Sequence, residues 1–159
     1  MAHIAQWRDL FVIIDDGHVP IREYERVEPL VRTQAKSCPN GLGCLVIIPD
    51  KASPPPSAVR SHLEGMLGRL PIRGLGYLVE GTGFKAATVR GVLIGLGIFQ
   101  RSKYPSKVFT ALDVGLGWLL PGASKADVRA ARKAISECRA RAKWDDAQIA
   151  VELSRGMSK

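Results

Sequence analysis

Residues 80–87, EGTGFKAA, have a glycine spacing that is typical of phosphate-binding turns. Gly81, Gly83 and Ala86 stand as in a dinucleotide fingerprint, in which glycine lets a pyrophosphate approach the first turn of a helix. That fingerprint also needs an acidic residue about twenty positions later to bind the ribose. The next acid is Asp113, which is too far along the chain. The pattern therefore predicts a plain strand-to-helix turn and no nucleotide cofactor.

Asp15 and Asp16 follow an apolar stretch, where paired carboxylates can hold Mg²⁺. No further acidic cluster accompanies them, so we interpret them as turn residues. His18 comes directly after them and has no nucleophile at a suitable spacing. The sequence contains no GxSxG, P-loop or HExxH pattern, and we expect the protein not to be an enzyme.

The cysteines are Cys38, Cys44 and Cys138, an odd number. No histidine stands at ligand spacing from them, which argues against structural zinc. We expect free thiols and no bound metal.

Strand-like and helix-like stretches alternate along the chain. Apolar, β-branched runs predict strands at 3–7, 10–15, 42–50, 72–81 and 106–112. Helical spacing of apolar residues predicts helices at 21–38, from Ser53 or Ser57 to Leu70, and at 83–102, 113–120 and 124–142, with a short final helix over 145–156. This order predicts an α/β fold, with a mixed sheet of four or five strands covered by helices and a helical C-terminal extension.

The segment PDKASPPPSAVR, residues 49–60, ends one strand and begins the next helix. Proline is tolerated in the first helical turn, and a serine before it can accept hydrogen bonds from free amides. Ser53 is therefore predicted to cap this helix. Two further pairs, Thr110 with Asp113 and Ser124 with Asp127, have the spacing of capping boxes.

Ala87, Gly91 and Gly95 form a row of small residues at intervals of four in the helix predicted at 83–102. It predicts close packing against the sheet or against a partner chain.

The net charge is +8, and its excess lies after residue 50. Residues 1–50 carry five basic and seven acidic groups, residues 51–120 nine and three, and residues 121–159 nine and five. A basic surface of this kind attracts nucleic acid or lipid headgroups. If such an acidic ligand binds, its candidate contacts are Arg101, Lys103, Lys107, Arg132 and Lys133.

The order of elements and the segment YPSKVFTALDVGLGWLL resemble the STAS family, especially the bacterial proteins similar to anti-sigma factor antagonists and, more distantly, CRAL-TRIO domains. The resemblance covers about residues 4–120, and its motifs are short. GHVPIREYERV is similar to the family's entry into its first helix, and LVIIPD to its central strand. The family's Asp-Ser-Ser-Gly-like loop after that strand reads PDKASPPPSAVR in this chain, so the phosphorylated serine of the family has only approximate equivalents here.

The resemblance implies a STAS-like domain over 1–120, followed by a helical extension over 121–159. It implies a non-enzymatic regulatory module that binds a protein partner, which could be a regulator or a second copy in a homodimer. The expected contact loop carries Asp50, Lys51, Ser53 and Ser57. Because the sequence has neither a secretory signal nor an apolar run long enough to span a bilayer, we expect a cytoplasmic protein.

Overall fold

The computed structural model describes residues 2–15, 19–95 and 103–156, and side chains within the last helix to residue 142. The elements follow in the order β1 (His3–Trp7), β2 (Leu10–Ile14), α1 (Ile21–Ala35), β3 (Leu42–Ile48), α2 (Ser57–Leu67), β4 (Ile72–Val79), α3 (Phe84–Gly95), β5 (Ser106–Phe109), α4 (Leu112–Leu119) and α5 (Lys125–Gly156). The predicted α/β class with a mixed sheet is confirmed.

The sheet has five strands in the order β1-β2-β3-β4-β5. β1 and β2 form an antiparallel hairpin whose turn contains Arg8 at φ 47°. β2, β3, β4 and β5 are parallel to one another. β5, at one edge of the sheet, has only four residues. The apolar run of β3 is central and buried nearly throughout, as its composition predicts.

One face of the sheet is covered by α1, α2 and α3. Because each parallel connection moves to the neighbouring strand with the same hand, successive crossover helices lie on one side. The buried residues of this face include Phe11, Ile13, Cys44, Val46, Leu75 and Tyr77 from the sheet, and Val27, Val31, Met66, Leu67, Val89 and Leu93 from the helices. We refer to this side as the first face.

α4 and α5 cover the opposite side, the second face. Its core contains Leu10, Val12, Leu45, Ile47, Leu116, Leu119, Ala131 and Ile135. α4 lies very close to the strands because glycines stand beneath it. A Cβ atom at Gly43 would lie 3.1 Å from the carbonyl oxygen of Leu119, and one at Gly76 would lie 3.1 Å from Leu119 Cδ1. Gly43 of β3 and Gly76 of β4 thus allow the close approach of α4.

The amino ends of the strands are tied together by Arg73. Its guanidinium donates to Asp9 Oδ2 at 3.0 Å and to the carbonyl of Gly41 at 2.9 Å, and it also donates to the carbonyl of Leu119. One side chain therefore joins the hairpin turn, the start of β3 and the end of α4.

The helix ends follow the predictions only in part. The box of Ser124 and Asp127 is confirmed: the Asp127 amide donates to Ser124 Oγ at 3.1 Å, and the Ser124 amide donates to Asp127 Oδ2 at 3.0 Å. Ser53 is not a cap, because α2 starts at Ser57 after Pro56 and has no side-chain cap. The Thr110 box is also wrong, since α4 starts after Ala111 without a side-chain cap.

Two further expectations about the helices need correction. The chain from Lys125 to Gly156 is one continuous helix rather than a helix followed by a separate short one. The row that includes Ala87 and Gly91 does not face the sheet: Ala87 is exposed, and a Cβ atom at Gly91 would meet no atom of the described chain within 4 Å. The surroundings of Gly95 lie outside the described residues.

Candidate functional site

Two loops lie side by side where β3 and β4 end. The first, residues 49–56, follows β3, and the second, residues 80–83, follows β4. Lys85 Nζ donates to the carbonyl of Lys51 at 2.8 Å, and the Glu80 amide donates to the carbonyl of Ile48 at 2.9 Å. In open α/β sheets the carboxyl ends of parallel strands are the usual place for binding sites.

The side chain of Asp50 lies against Gly81 of the second loop. Gly81 has φ +85°, and a Cβ atom there would overlap Asp50 Oδ1. Glycine is required at this position by both the backbone conformation and the neighbouring side chain. A carboxyl group in contact with Gly81 also disfavours the approach of a pyrophosphate, which agrees with the interpretation of EGTGFKAA as a structural turn.

The loops form a continuous exposed surface that we call the loop surface, made of residues 50–51, 54, 56–58 and 81–85. Asp50, Lys51 and Ser57 of the predicted contact loop belong to it, whereas Ser53 is half-buried and faces inward. Phe84, in the first turn of α3, is 90% exposed. Large aromatic side chains are enriched at the centres of protein interfaces.

Sequence reasoning missed Phe84. Its signal was present, since an aromatic residue directly after EGTG stands in the first turn of the helix, where it is exposed.

Beneath the first loop lies an apolar cavity of about 60 Å³, enclosed by the sheet, α2 and α3. Ser53, Pro54 and Pro55 form part of its wall on the loop side. Ile13, Val46 and Tyr77 line it from the strands. Asp15, at the end of β2, also reaches this cavity and accepts a hydrogen bond from the hydroxyl of Tyr24. The predicted contact loop therefore covers an internal space.

Cys44 and Tyr77, which are buried on the first face, have raised pKa values. Burial raises the pKa of the Cys44 thiol to about 12, and burial also raises the pKa of the Tyr77 hydroxyl. A thiol with a raised pKa is a poor nucleophile. Cys38 and Cys138 also have pKa values raised by burial, and the three cysteines are free.

The basic residues predicted to contact an acidic ligand are largely engaged with other side chains. Arg132 pairs with Asp113, and Lys133 Nζ lies 3.9 Å from Glu137 Oε1. Lys107 Nζ lies 5.3 Å from the ring centroid of Trp118, and Lys103 is exposed. Arg101 lies outside the described residues, as do Asp16 and His18.

Within the described ranges, no group of three or more histidine, cysteine, aspartate or glutamate side chains is placed to hold a metal ion. The same part of the chain contains no helix that is both long and apolar enough to cross a membrane. Compared with known proteins, the chain matches no family model, no curated protein and no solved structure.

Proposed function

We propose that the protein is a STAS-like, non-enzymatic regulatory module that docks a protein partner through the loop surface. The proposal is supported above all by Phe84, which belongs to that surface and is 90% exposed. An aromatic side chain left in water loses little flexibility and gains much buried area when a partner covers it. The resemblance to STAS proteins supports the same region, since their regulatory loop follows the central strand.

The loop surface is suited to docking because its backbone is fixed before a partner arrives. Pro54, Pro55 and Pro56 restrict the first loop, and the bond from Lys85 to the Lys51 carbonyl joins it to α3. A fixed loop loses less conformational entropy on binding than a free one. Its charges, Asp50, Lys51 and Lys85, are of both signs, which favours a protein surface of mixed charge over a polyanion.

If a phosphate regulates this docking, Ser57 is the residue to expect. It is exposed at the first position of α2, where an added phosphate would meet free backbone amides. Ser53 faces the cavity and is less accessible to a kinase.

The alternative function, binding of nucleic acid or a lipid headgroup through the basic C-terminal half, has weaker support. Arg132 and Lys133 are each close to a carboxylate, so part of their charge is already neutralised. Phosphate contacts would show as an affinity that falls steeply with salt concentration.

The test combines crosslinking with a measured affinity. A photo-crosslinking phenylalanine analogue at position 84 should capture one protein in the cells that make this chain. The captured protein, purified, should bind the unmodified chain, and Phe84→Ser should weaken that binding at least tenfold. Capture of a second copy would identify the partner as the chain itself.

The matched control is Val114→Ser on the second face, where Val114 is 62% exposed. This variant removes an exposed apolar side chain of similar accessibility and should keep the affinity of the unmodified chain. Equal affinity of the Phe84→Ser variant, or capture of nucleic acid alone with a steep salt dependence, would reject the proposal.

A further inference from the structure

We propose that the cavity under the first loop is a binding site for a short-chain carboxylate, whose apolar tail enters the cavity and whose carboxylate pairs with Arg60. The cavity's apolar walls, its volume and the guanidinium of Arg60, which is unpaired among the described residues, support this assignment. It does not depend on the identity of a protein partner.

The walls of the cavity are suited to a hydrocarbon. Side chains from the strands and both neighbouring helices surround it, among them Val46, Leu63, Met66 and Val89. Such a space is poorly hydrated and takes up apolar groups readily. The cavity is also partly open to solvent, so a ligand can enter with its polar end outward.

The volume limits the length of the tail. A cavity needs roughly 10–15 Å³ to admit one water-sized group. At about 60 Å³ this cavity admits a chain of about four to six such groups. Butanoate to hexanoate fit this range, whereas long-chain fatty acids exceed it.

Arg60 indicates that the polar end of the ligand is a carboxylate. This arginine belongs to α2, is half-buried and lines the cavity. Among the described residues its guanidinium has neither a hydrogen bond nor an ion pair, although most arginines around it have partners. A guanidinium binds a carboxylate through two parallel hydrogen bonds, and the interaction is stronger where water is partly excluded.

Asp15 favours one orientation of the ligand. It is 9% exposed and accepts the hydroxyl hydrogen of Tyr24, so its carboxyl group presents acceptor oxygens that disfavour a ligand carboxylate beside them. A ligand carboxylate therefore stays beside Arg60, which is more accessible than Asp15. The tail then points inward, toward Met66 and Tyr77.

The experiment uses Met66 as a reporter. The chain has three methionines, and Met66 is the one that lines the cavity, while Met1 and Met157 lie near the chain ends. In protein labelled with ¹³C at the methionine methyl groups, pentanoate should shift the Met66 signal saturably and leave the other two unchanged. Acetate and decanoate should bind at least fivefold more weakly than pentanoate.

Two variants test separately how the ligand's carboxylate and its apolar chain contribute to binding. Arg60→Gln should weaken pentanoate binding at least tenfold while changing the affinity for 1-pentanol less than twofold. Arg90→Gln is the matched control, because Arg90 lies on α3, donates to the Gly81 carbonyl and does not line the cavity. Val92→Phe should fill the cavity and abolish both ligands' effects on Met66, with the folded state checked by circular dichroism.

The proposal would be overturned if no carboxylate shifted Met66, or if pentanoate and 1-pentanol bound equally well to the unmodified protein. A Met66 shift with phosphatidylglycerol vesicles but not with monomeric carboxylates would also overturn it, because the ligand would then be a membrane lipid. If Val92→Phe fails to fold, the comparison of Arg60→Gln with Arg90→Gln still shows whether Arg60 binds the carboxylate.

Discussion

The two faces of the sheet are built from the same strands yet pack very differently. On the second face, Gly43 and Gly76 let α4 approach until Leu119 touches the strand backbone. On the first face, large residues such as Val46 and Tyr77 meet α2 and α3 with a cavity left between them. Alternate residues of one strand thus specify a close contact on one side and an internal space on the other. The face that is less completely filled is the one beside the loop surface.

The largest effect is expected from Gly76→Val. The added side chain would meet Leu119 Cδ1 and the Phe109 ring, which lie 3.1 and 3.2 Å from the Cβ position. Overpacking of this kind should lower the free energy of unfolding by ~3 kcal/mol, as measured by urea denaturation. Gly91→Ala is the control: it has open space at its Cβ and should stabilise the helix by up to ~1 kcal/mol. Similar results for both variants would contradict the close contact on the second face.

A matched pair of valines tests the difference in packing directly. Val12 lies in the second face and is 1% exposed, whereas Val46 lines the cavity. Val12→Ile should destabilise the fold by ~1 kcal/mol because no space receives the added methylene. Val46→Ile should be neutral or stabilise the fold by up to ~0.5 kcal/mol, since it fills the cavity. Thermal and urea denaturation would measure the change in the free energy of unfolding for each variant. Changes of the same sign would show that the two faces are packed alike.

A third comparison concerns the first turns of two helices. α5, on the second face, has a side-chain cap, whereas α2, on the first face, has none. Ser124→Ala removes the acceptor for the Asp127 amide and should cost ~1 kcal/mol. Ser53→Ala removes no cap and should change stability by less than ~0.5 kcal/mol. If urea denaturation showed a larger loss of unfolding free energy for Ser53→Ala than for Ser124→Ala, Ser53 rather than Ser124 would be the capping residue.

The smallest expected effect is the dependence of the protein's stability on pH through Asp127. Hydrogen bonds from Ser124, with a further contribution from Arg8, hold the pKa of Asp127 below its model-compound value of 3.8. Because the folded-state pKa is lowered, the stabilisation is present above pH 3.8 and is lost as the pH falls through the folded value. NMR titration should show the Asp127 pKa rising toward its ordinary value in Ser124→Ala. An unchanged pKa in that variant would assign the shift to other groups.

The alternation of apolar runs was sufficient to predict the fold class. β3 was recognisable because an unbroken β-branched run is typical of a strand covered on both sides. The Ser124–Asp127 box was predicted correctly from its spacing, whereas the Thr110–Asp113 pair has the same spacing and does not cap its helix. By contrast, Ser53 was misassigned because two prolines after the first one delay the helix until Ser57. The local spacing of serine and proline could not show whether the helix starts after Ser53 or at Ser57.

The candidate site was predictable only in its first loop. Asp50 and Lys51 follow a recognisable strand. Phe84 has a local signal, but its position beside them, like the position of Arg60 at the cavity, follows from tertiary packing. The volume of the cavity depends on how α2 and α3 meet the sheet, and the sequence of either helix alone does not determine this. Ser53 shows the same limit, since its inward direction follows from the path of the whole loop.

The short strand β5 has a consequence for behaviour at high concentration. A long, flat outer strand offers its unpaired amides and carbonyls to other chains and promotes aggregation. Here that strand has four residues, Pro105 precedes it without an amide hydrogen, and Lys107 within it is exposed. Growth of the sheet into fibres by addition of a further strand is therefore disfavoured on this side.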